Sequence, residues 1–211
     1  DITRAADLAP YAVFDNAGQD CCARSRILVQ RGAYDEFVGR LEVAVNGMKV
    51  IDPADDASEM GPLISEGQRA SVQEYIDGAH VAFSGSCPTG PGWWVPPTVV
   101  ESRDTAERVW REEVFGPVVA VMPFDDEDEA VRLANGTDFG LVAGVWTGDG
   151  ARQLRMARAL ASGQVFVNNY GAGGGVELPF GGVKHSGHGR EKGFEALYGF
   201  TTLKTVVLRH G

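Results

Sequence analysis

Residues 117–136, "PVVAVMPFDDEDEAVRLANG", have the pattern of a buried strand followed directly by a helix. Residues 117–124 are a short apolar run bounded by proline, which is typical of a strand inside a sheet. Residues 126–136 begin with acidic side chains and end at Gly136, as expected for a helix with negative charge in its first turn and glycine at its C-cap. This stretch therefore predicts one strand–helix unit.

The same alternation precedes this stretch. Residues 25–30, "SRILVQ", are a β-branched and apolar run that predicts a strand. The segment at 34–48 then has apolar residues at helical spacing, namely Phe37, Leu41 and Val45. A second helix is predicted over residues 65–80, because Ser65 and Gln68 at its start have the spacing of a capping box.

The alternation also continues after this stretch. Strand-like runs occupy residues 141–147 and 164–170, and between them lies a predicted helix that closes on Gly163. Short runs at 97–100 and 201–210 predict two further strands. Strand and helix in turn indicate an α/β fold, with a mostly parallel sheet flanked by helices.

Composition limits the possible functions. A chain of 211 residues, 44% of them hydrophobic, can bury a full core, most simply as one large domain. The formal net charge of −10 would repel phosphate backbones, so nucleic acid is not an expected partner. No apolar run approaches the roughly 20 residues that span a bilayer, so no membrane partner is expected either.

The cysteines bear on the cellular compartment. Cys21, Cys22 and Cys87 are an odd set, and a bridge between the two adjacent ones would close a strained ring. A reducing environment is the simpler inference. The first residues also lack the basic start and long apolar block of a secretory signal, so we expect a cytoplasmic protein.

The strongest candidate for chemistry is "NAGQDCCARSR" at residues 16–26. A cysteine that attacks an electrophile must be largely thiolate, which requires a nearby cation or another anion-stabilising group. Here the neighbours conflict, because Asp20 disfavours a thiolate whereas Arg24 and Arg26 would favour one. From these residues alone, two buried cysteines acting as small hydrophobic side chains are the simpler interpretation.

Six segments of the chain resemble, in the same order, the NAD(P)-dependent aldehyde dehydrogenase superfamily. "GQDC" at 18–21 is similar to the Gly-Gln-x-Cys that presents that family's nucleophile. "EEVFGPV" at 112–118 and "PFGGVKHSGHGREKG" at 179–193 resemble two of its signature segments. The remaining three are "MGPLIS", "ANGTDFGLVAGVWT" and "QVFVNNY". Six segments in order are far more specific than any one of them.

The resemblance implies roles for individual residues. Cys21 aligns with the catalytic thiol. Glu113 and Phe115 align with the residues that position the nicotinamide ribose and ring of the expected cofactor, NAD or NADP. Phe180 aligns with an aromatic side chain beside the nucleophile, and the loop from Tyr170 to Leu178 aligns with a wall of the substrate entrance. The residues expected to contact substrate are Asp20, Cys22, Glu177 and Phe180.

The chemistry implied by the resemblance is the oxidation of an aldehyde to a carboxylic acid. Attack of the Cys21 thiolate on the aldehyde carbon gives a thiohemiacetal, whose oxyanion needs donors such as the Cys21 backbone amide. Collapse of the oxyanion expels hydride to NAD(P)+ and leaves a thioester. Water activated by a general base then releases the acid.

The resemblance also implies a division of the chain. Residues 1–200 would form the nucleophile-bearing catalytic domain, and residues 201–211 would supply a C-terminal strand to the oligomerisation region of a homo-oligomer. In the family, the cofactor-binding fold and the general-base glutamate precede the cysteine motif. We therefore expect the N-terminal cofactor-binding domain to be absent from this chain, and the chain alone to be inactive. "GAGGG" at 171–175 does not replace it, because it follows a predicted strand without opening a helix.

Two other functions remain open. One is a non-catalytic assembly or regulatory module with the same fold, and the other is a thiol-dependent esterase that acts on activated esters without NAD. If the chain is a dehydrogenase, the charges of Asp20 and Glu177 favour a cationic aldehyde. No metal site is expected, because the acidic run at 125–129 lacks the ligand pattern of a calcium loop and the histidines show no metal spacing with the cysteines.

Overall fold

A computed structural model describes residues 1–171 and 174–211. Its α-helices are α1 (Ile2–Val13), α2 (Tyr34–Gly47), α3 (Glu66–Asp77), α4 (Arg108–Arg111), α5 (Glu127–Asn135), α6 (Gly150–Ala159) and α7 (Glu195–Gly199). Its strands are β1 (Arg26–Gln30), β2 (Val81–Ser84), β3 (Thr98–Glu101), β4 (Val118–Phe124), β5 (Val142–Val145) and β6 (Gln164–Val167). The strands and helices predicted before residue 171 are all present.

The larger sheet has the strand order β1-β4-β3-β2. Strand β4 is parallel to both neighbours, with Ala120 opposite Arg26 on one side and Val100 on the other, while β2 is antiparallel at the edge. The first five residues of β4 are buried. A strand that is paired on both sides and covered on both faces has no polar face, which explains its unbroken apolar sequence. The predicted α/β fold with a mostly parallel sheet is confirmed.

Strands β5 and β6 form a separate two-stranded parallel sheet. A cavity of about 710 Å3 lies between the two sheets, and residues of both β1 and β5 line it. Periodicity predicts each strand but not which distant strands pair. The division of the strands between two sheets is therefore a structural finding beyond the sequence prediction.

Helix α1 is absent from the sequence prediction. It begins after Asp1, whose side chain accepts a hydrogen bond from the Arg4 amide at 3.0 Å. Its buried face consists largely of small residues, which let it pack closely against α2: Ala5, Ala6 and Ala9. At its other end, the Ala12 carbonyl accepts a hydrogen bond from the Arg24 amide at 3.0 Å. Helix α1 thus anchors the segment that carries the cysteines.

The helix ends agree with the sequence prediction in part. Ser65 is the N-cap of α3 and accepts a hydrogen bond from the Gln68 amide, as the capping box predicts. Gly136 is the C-cap of α5, as predicted. The prediction that α6 closes on Gly163 was wrong, because the helix ends at Ala159 with Leu160 as its C-cap. The backbone of Leu160 is already extended, so the helix cannot continue to the glycine.

The hydrophobic core is divided unequally. The larger cluster of buried side chains joins α1, α2, α3 and the four-stranded sheet, with Phe14, Leu41, Val72, Val119 and Trp110 among its most buried members. A smaller cluster consists of Ala130, Val145 and Met156, on α5, β5 and α6. The part of the molecule that carries β5 and β6 therefore has little apolar burial of its own.

The C-terminal strand predicted at residues 201–210 is not formed. Residues 201–211 have no regular secondary structure and are exposed throughout. Apolar side chains there, Leu203 and Val207 among them, have no covering partner within the described chain. A strand needs a neighbouring strand to pair its amides and carbonyls, and no described segment pairs with this one. Within residues 1–171 and 174–211, no helix is both long enough and apolar enough to cross a membrane.

Candidate active site

The turn before the cysteines has an unusual backbone. Asn16, Ala17 and Gly18 all have positive φ, at 50°, 55° and 69°. Gly18 is required for a second reason, because a Cβ at this position would lie 2.1 Å from the Gly116 carbonyl oxygen. The cysteine segment therefore lies in backbone contact with the Phe115–Pro117 segment, although the two are far apart in sequence.

Two glutamine side chains link these two segments to the start of α3. The Gln19 side chain accepts a hydrogen bond from the Ile64 amide at 3.1 Å and donates to the Asn16 carbonyl at 3.3 Å. The Gln68 amide group donates to the Phe115 carbonyl at 2.8 Å. The side chain of Gln68, which the sequence places in a capping box, therefore holds the Phe115 segment.

The two adjacent cysteines have opposite environments. Cys21 is exposed, whereas Cys22 is buried, and their Sγ atoms are 3.9 Å apart. The Cys22 amide donates to Asp20 Oδ1 at 2.9 Å, which tightens the turn. Burial, together with negative charge at Cys21 and Asp20, raises the pKa of Cys22 to about 12. Cys21 is thus the accessible sulfur, and the interpretation that both cysteines are buried does not describe the structure.

A buried arginine ties the cysteine turn to the segment after β6. Arg24 is 8% exposed, donates through Nη1 to the Cys22 carbonyl at 2.6 Å, and donates through Nη2 to the Gly171 carbonyl. Its guanidinium also lies 5.8 Å from the centre of the Phe166 ring. Burial lowers the pKa of Arg24. From the sequence Arg24 was identifiable only as a charge near the thiols, because nothing in a sequence shows which carbonyls a side chain will reach.

The cavity between the two sheets brings together four of the predicted site residues. Asp20, Cys21, Glu113 and Phe115 all contribute to its lining. Phe115 has φ of 54°, is 39% exposed as a residue and contributes to the cavity lining.

The neighbouring acid Glu112 lines the same cavity but is held by other groups. Its carboxylate pairs with Arg108 at 3.0 Å and accepts from the Tyr75 hydroxyl at 2.8 Å, which lower the pKa of Glu112. Glu113 is exposed, and of the two acids it is the better candidate to contact a ligand.

The structure does not bring Cys22, Glu177 and Phe180 to this cavity. Phe180 is half-buried, its backbone pairs with Glu191, and the ammonium group of Lys192 lies 5.5 Å from its ring centre. Glu177 is exposed on the loop after β6. Ala172 and Gly173, which belong to the predicted entrance loop, lie outside the described residues. Contacts of Cys22, Glu177 and Phe180 with substrate stay predictions.

The fold and the site together define a class: an α/β protein that presents one accessible thiol on a tight turn, at a cavity also lined by an acid and an aromatic ring. The sequence model described as the aldehyde dehydrogenase family matches residues 1–206. The chain belongs to the aldehyde dehydrogenase family.

Individual relatives agree with this assignment. A betaine aldehyde dehydrogenase of Rhizobium etli is 39% identical over 219 residues, which cover 100% of this chain and 45% of the relative. The crystal structure of a putative aldehyde dehydrogenase from Burkholderia cenocepacia has a TM-score of 0.93 and 52% identity, covering 100% of this chain and 46% of that one. An aldehyde dehydrogenase of Mycobacterium tuberculosis complexed with NAD+ has a TM-score of 0.92 and 37% identity, covering 100% and 45%. The chain spans less than half the length of the curated relatives it matches.

Proposed function

We propose that this chain is the nucleophile-bearing part of an enzyme that oxidises an aldehyde to a carboxylic acid with NAD(P)+, and that Cys21 is its nucleophile. The observation that carries the proposal is the contrast between the two sulfurs, since Cys21 is exposed at a cavity while Cys22 is buried. Family membership supports the reaction class.

In the proposed mechanism the Cys21 sulfur forms a bond to the aldehyde carbon, and the carbonyl oxygen becomes an oxyanion. The turn at Asn16–Gly18 and the hydrogen bond from Cys22 to Asp20 hold the nucleophile in place without help from the substrate. Backbone amides of this turn, that of Cys21 first, would stabilise the oxyanion. After oxidation the acyl group remains on Cys21 as a thioester, which water cleaves to the acid.

The residues present fit the expected cofactor. Glu113 offers an exposed carboxylate for ribose hydroxyl groups, and Phe115 offers an exposed ring surface for a flat heterocycle, both on the cavity that Cys21 lines. When bound, NAD(P)+ supplies the hydride acceptor. Glu113 and Phe115 would orient it, and the Gln68 hydrogen bond to Phe115 would fix the position of that segment.

The proposal extends to the organisation of the protein. Residues 1–200 would be the catalytic domain, and residues 201–211 would pair as a strand with another subunit of a homo-oligomer. The cofactor-binding fold and the general-base residue would lie in another part of the natural protein, while Glu113 and Phe115 would contact the cofactor from this chain. The proposal is supported by the chain's coverage of less than half of its relatives and by the exposed apolar residues after Phe200.

The direct test replaces each sulfur in the natural gene product that contains this sequence. We expect Cys21→Ala to lower NAD(P)-dependent aldehyde oxidation by roughly 1,000-fold or more, because the covalent route is lost. Cys22→Ala is the matched control and should retain activity within a few-fold. If Cys22→Ala removed the activity and Cys21→Ala did not, the assignment of the nucleophile would be wrong.

We infer that the preferred substrate is a cationic aldehyde. The negative charge of Asp20 supports this inference more strongly than that of Glu177. Asp20 lines the cavity beside Cys21, whereas Glu177 does not line it. The similarity to a betaine aldehyde dehydrogenase is in agreement. The test compares kcat/KM for betaine aldehyde with that for a neutral aldehyde of similar size. We expect a preference for the cation that falls in Asp20→Asn mainly through KM, and equal values for the two aldehydes would end the inference.

Thiol-dependent ester hydrolysis is a second candidate, and the exposure of Cys21 within this chain supports it. Ester cleavage needs an accessible thiolate and water but no hydride acceptor. The 211-residue chain would be assayed with p-nitrophenyl acetate in the absence of NAD. Hydrolysis that is lost in Cys21→Ala and kept in Cys22→Ala would support this activity, and equal rates for all three proteins would exclude it.

A further inference from the structure

Asp20, Cys21 and Cys22 form a compact group of potential ligands. One oxygen and two sulfur atoms of these residues lie within 4.8 Å of one another. The two Sγ atoms are 3.9 Å apart, and the hydrogen bond from the Cys22 amide to Asp20 Oδ1 keeps the carboxylate close to them. This group is built by the turn itself, because all three residues are adjacent in sequence.

The distance between the sulfurs distinguishes two kinds of chemistry. In a tetrahedral zinc site with Zn–S bonds of about 2.3 Å, two thiolates are about 3.8 Å apart. In a disulfide the sulfurs are about 2.05 Å apart, so these atoms would have to approach each other by almost half their separation of 3.9 Å. The turn as folded matches a two-thiolate chelate and not a disulfide.

We propose that Asp20, Cys21 and Cys22 bind a thiophilic divalent cation, such as Zn2+ or Cd2+, and that this cation blocks the Cys21 sulfur. Binding forms two metal–sulfur bonds and one metal–oxygen bond, and the protons of the two thiols pass to solvent. A water molecule completes the tetrahedron from the cavity side, where Cys21 is exposed. Thiolate ligands select soft or borderline ions over Mg2+ and Ca2+.

The charges near the group are compatible with a cation. Arg24 is the nearby positive charge that opposes binding, since it donates to the Cys22 carbonyl at 2.6 Å. Two thiolates and one carboxylate carry three negative charges, which balance one guanidinium and one divalent ion. With the metal bound, the negative charge of the three ligands would therefore still balance the positive charge of the buried Arg24.

The site would make the nucleophile sensitive to such ions, whatever electrophile the nucleophile attacks. Occupation of the Cys21 lone pair by the metal prevents attack on any carbonyl carbon. The binding step does not depend on the proposed dehydrogenase activity. It can therefore be measured directly, and its failure would be distinguishable from a failure of the proposed function.

The experiment titrates Cd2+ into the reduced 211-residue chain and follows the ultraviolet charge-transfer absorption of thiolate–cadmium bonds. We expect one Cd2+ per chain, with an affinity at least roughly tenfold lower in Cys21→Ser and in Cys22→Ser and modestly lower in Asp20→Asn. Cys87→Ser is the matched control and should bind as the unmodified chain does. Circular dichroism of each variant confirms that it is folded.

A second measurement uses the unmodified chain alone, in case the buried Cys22 does not tolerate replacement. Stoichiometric Cd2+ should protect Cys21 from alkylation by iodoacetamide, and Mg2+ should not. The proposal is overturned if Cys22→Ser or Cys22→Ala, while folded, binds Cd2+ with unchanged affinity. It is also overturned if Cd2+ leaves the alkylation of Cys21 unaffected or if the absorption depends on Cys87.

Discussion

At the scale of single residues, the main finding is that adjacent cysteines can have different roles. The three consecutive positive φ values at 16–18 turn the chain so that Cys21 points outward and Cys22 points inward. The sequence motif identifies this pair, and the resemblance singles out Cys21. The exposure of one sulfur and the burial of the other depend on the contact of Gly18 with Gly116, which joins residues distant in sequence.

The first prediction concerns the reactivity of the thiols. Under native conditions iodoacetamide should alkylate Cys21 first, and Cys22 on the order of 100-fold more slowly, because a buried thiol with a raised pKa offers little accessible thiolate. Peptide mapping by mass spectrometry at increasing times separates Cys21, Cys22 and the half-buried Cys87. In guanidinium chloride the three rates should converge. Faster alkylation of Cys22 in the folded chain would contradict the structure.

The second prediction concerns Gly18. Gly18→Ala should lower the free energy of unfolding by about 1–3 kcal/mol, because its Cβ would overlap the Gly116 carbonyl at a backbone with positive φ. The matched control is Gly39→Ala on the exposed side of α2, where a Cβ meets nothing within 4 Å. That change should raise the free energy of unfolding by about 0.5–1 kcal/mol. Urea denaturation measures both, and equal effects of the two substitutions would contradict the prediction.

At the scale of elements, the cysteine turn is held from two sides. Gly116 and its neighbours contact it on one side, and Arg24 links it to the segment after β6 on the other. The turn is therefore a junction between the larger sheet and the two-stranded sheet. The geometry of the cysteine turn should therefore respond to changes in either sheet.

The third prediction tests this junction. Arg24→Met keeps most of the side-chain volume but removes the hydrogen bonds to the carbonyls of Cys22 and Gly171. We expect a loss of about 1–3 kcal/mol in the free energy of unfolding, since two carbonyls lose their donor. We also expect faster amide exchange in residues 20–23, measured by hydrogen–deuterium exchange. Arg158→Met, at an exposed position of α6, is the control. Protection of residues 20–23 that is the same in both variants would refute the link.

The fourth prediction concerns acid sensitivity where α5 meets α6. Hydrogen bonds from Arg155 and Arg152 lower the pKa of Glu127 to about 2, from an ordinary value of 4.5. A carboxylate whose pKa is lower in the folded state stabilises the fold fully above about pH 4.5 and loses that contribution as the pH falls toward 2. The pH dependence of Tm over this window should be shallower in Glu127→Gln than in the unmodified chain. The same dependence in both proteins would show that the pair does not contribute.

Most of the elements were predictable because their signals are local. The apolar run of β4, the helical spacing in α2 and the N-cap at Ser65 are each complete within a few residues. Helix α1 was not predicted, although its buried residues recur at helical spacing, because most of them are small alanines and Pro10, a residue that usually interrupts helices, lies within it. The pairing of strands and the bonds of Arg24 and Gln68 were not predictable, since they join segments that local pattern cannot relate. For the site, the resemblance to a family identified the candidate residues, and the structure showed which of them are exposed and which are buried.

At the scale of the whole molecule, the exposed C-terminal residues are the feature that the fold alone does not explain. Leu203, Val206, Val207 and Leu208 are at least two-thirds exposed. The exposure of this many apolar side chains to water is unfavourable in free energy, and a partner strand that covered them would remove this cost. Their sequence has the β-branched character of a strand, although no strand is formed within the described chain.

The fifth prediction tests this end of the chain. Val207→Lys in the natural protein should weaken its self-association, because a charge would enter the proposed strand between subunits. The control is Val43→Lys on α2. Val43 is exposed to a similar degree, 74% against 86% for Val207. Sedimentation equilibrium measures the mass of both variants, and Tm checks their folding. Unchanged mass in Val207→Lys would show that these residues do not hold subunits together.

The unequal division of the core has a consequence for synthesis on the ribosome. Every buried member of the larger cluster except Leu133 precedes residue 124, where β4 ends. A nascent polypeptide could therefore complete its four-stranded sheet while β5 and β6 are still inside the exit tunnel. In an intermediate that ends at β4, the cysteine turn would be held only on its Gly116 side, because Gly171 follows β6. Force measurements with arrest peptides should detect the first folding event soon after residue 124 leaves the tunnel.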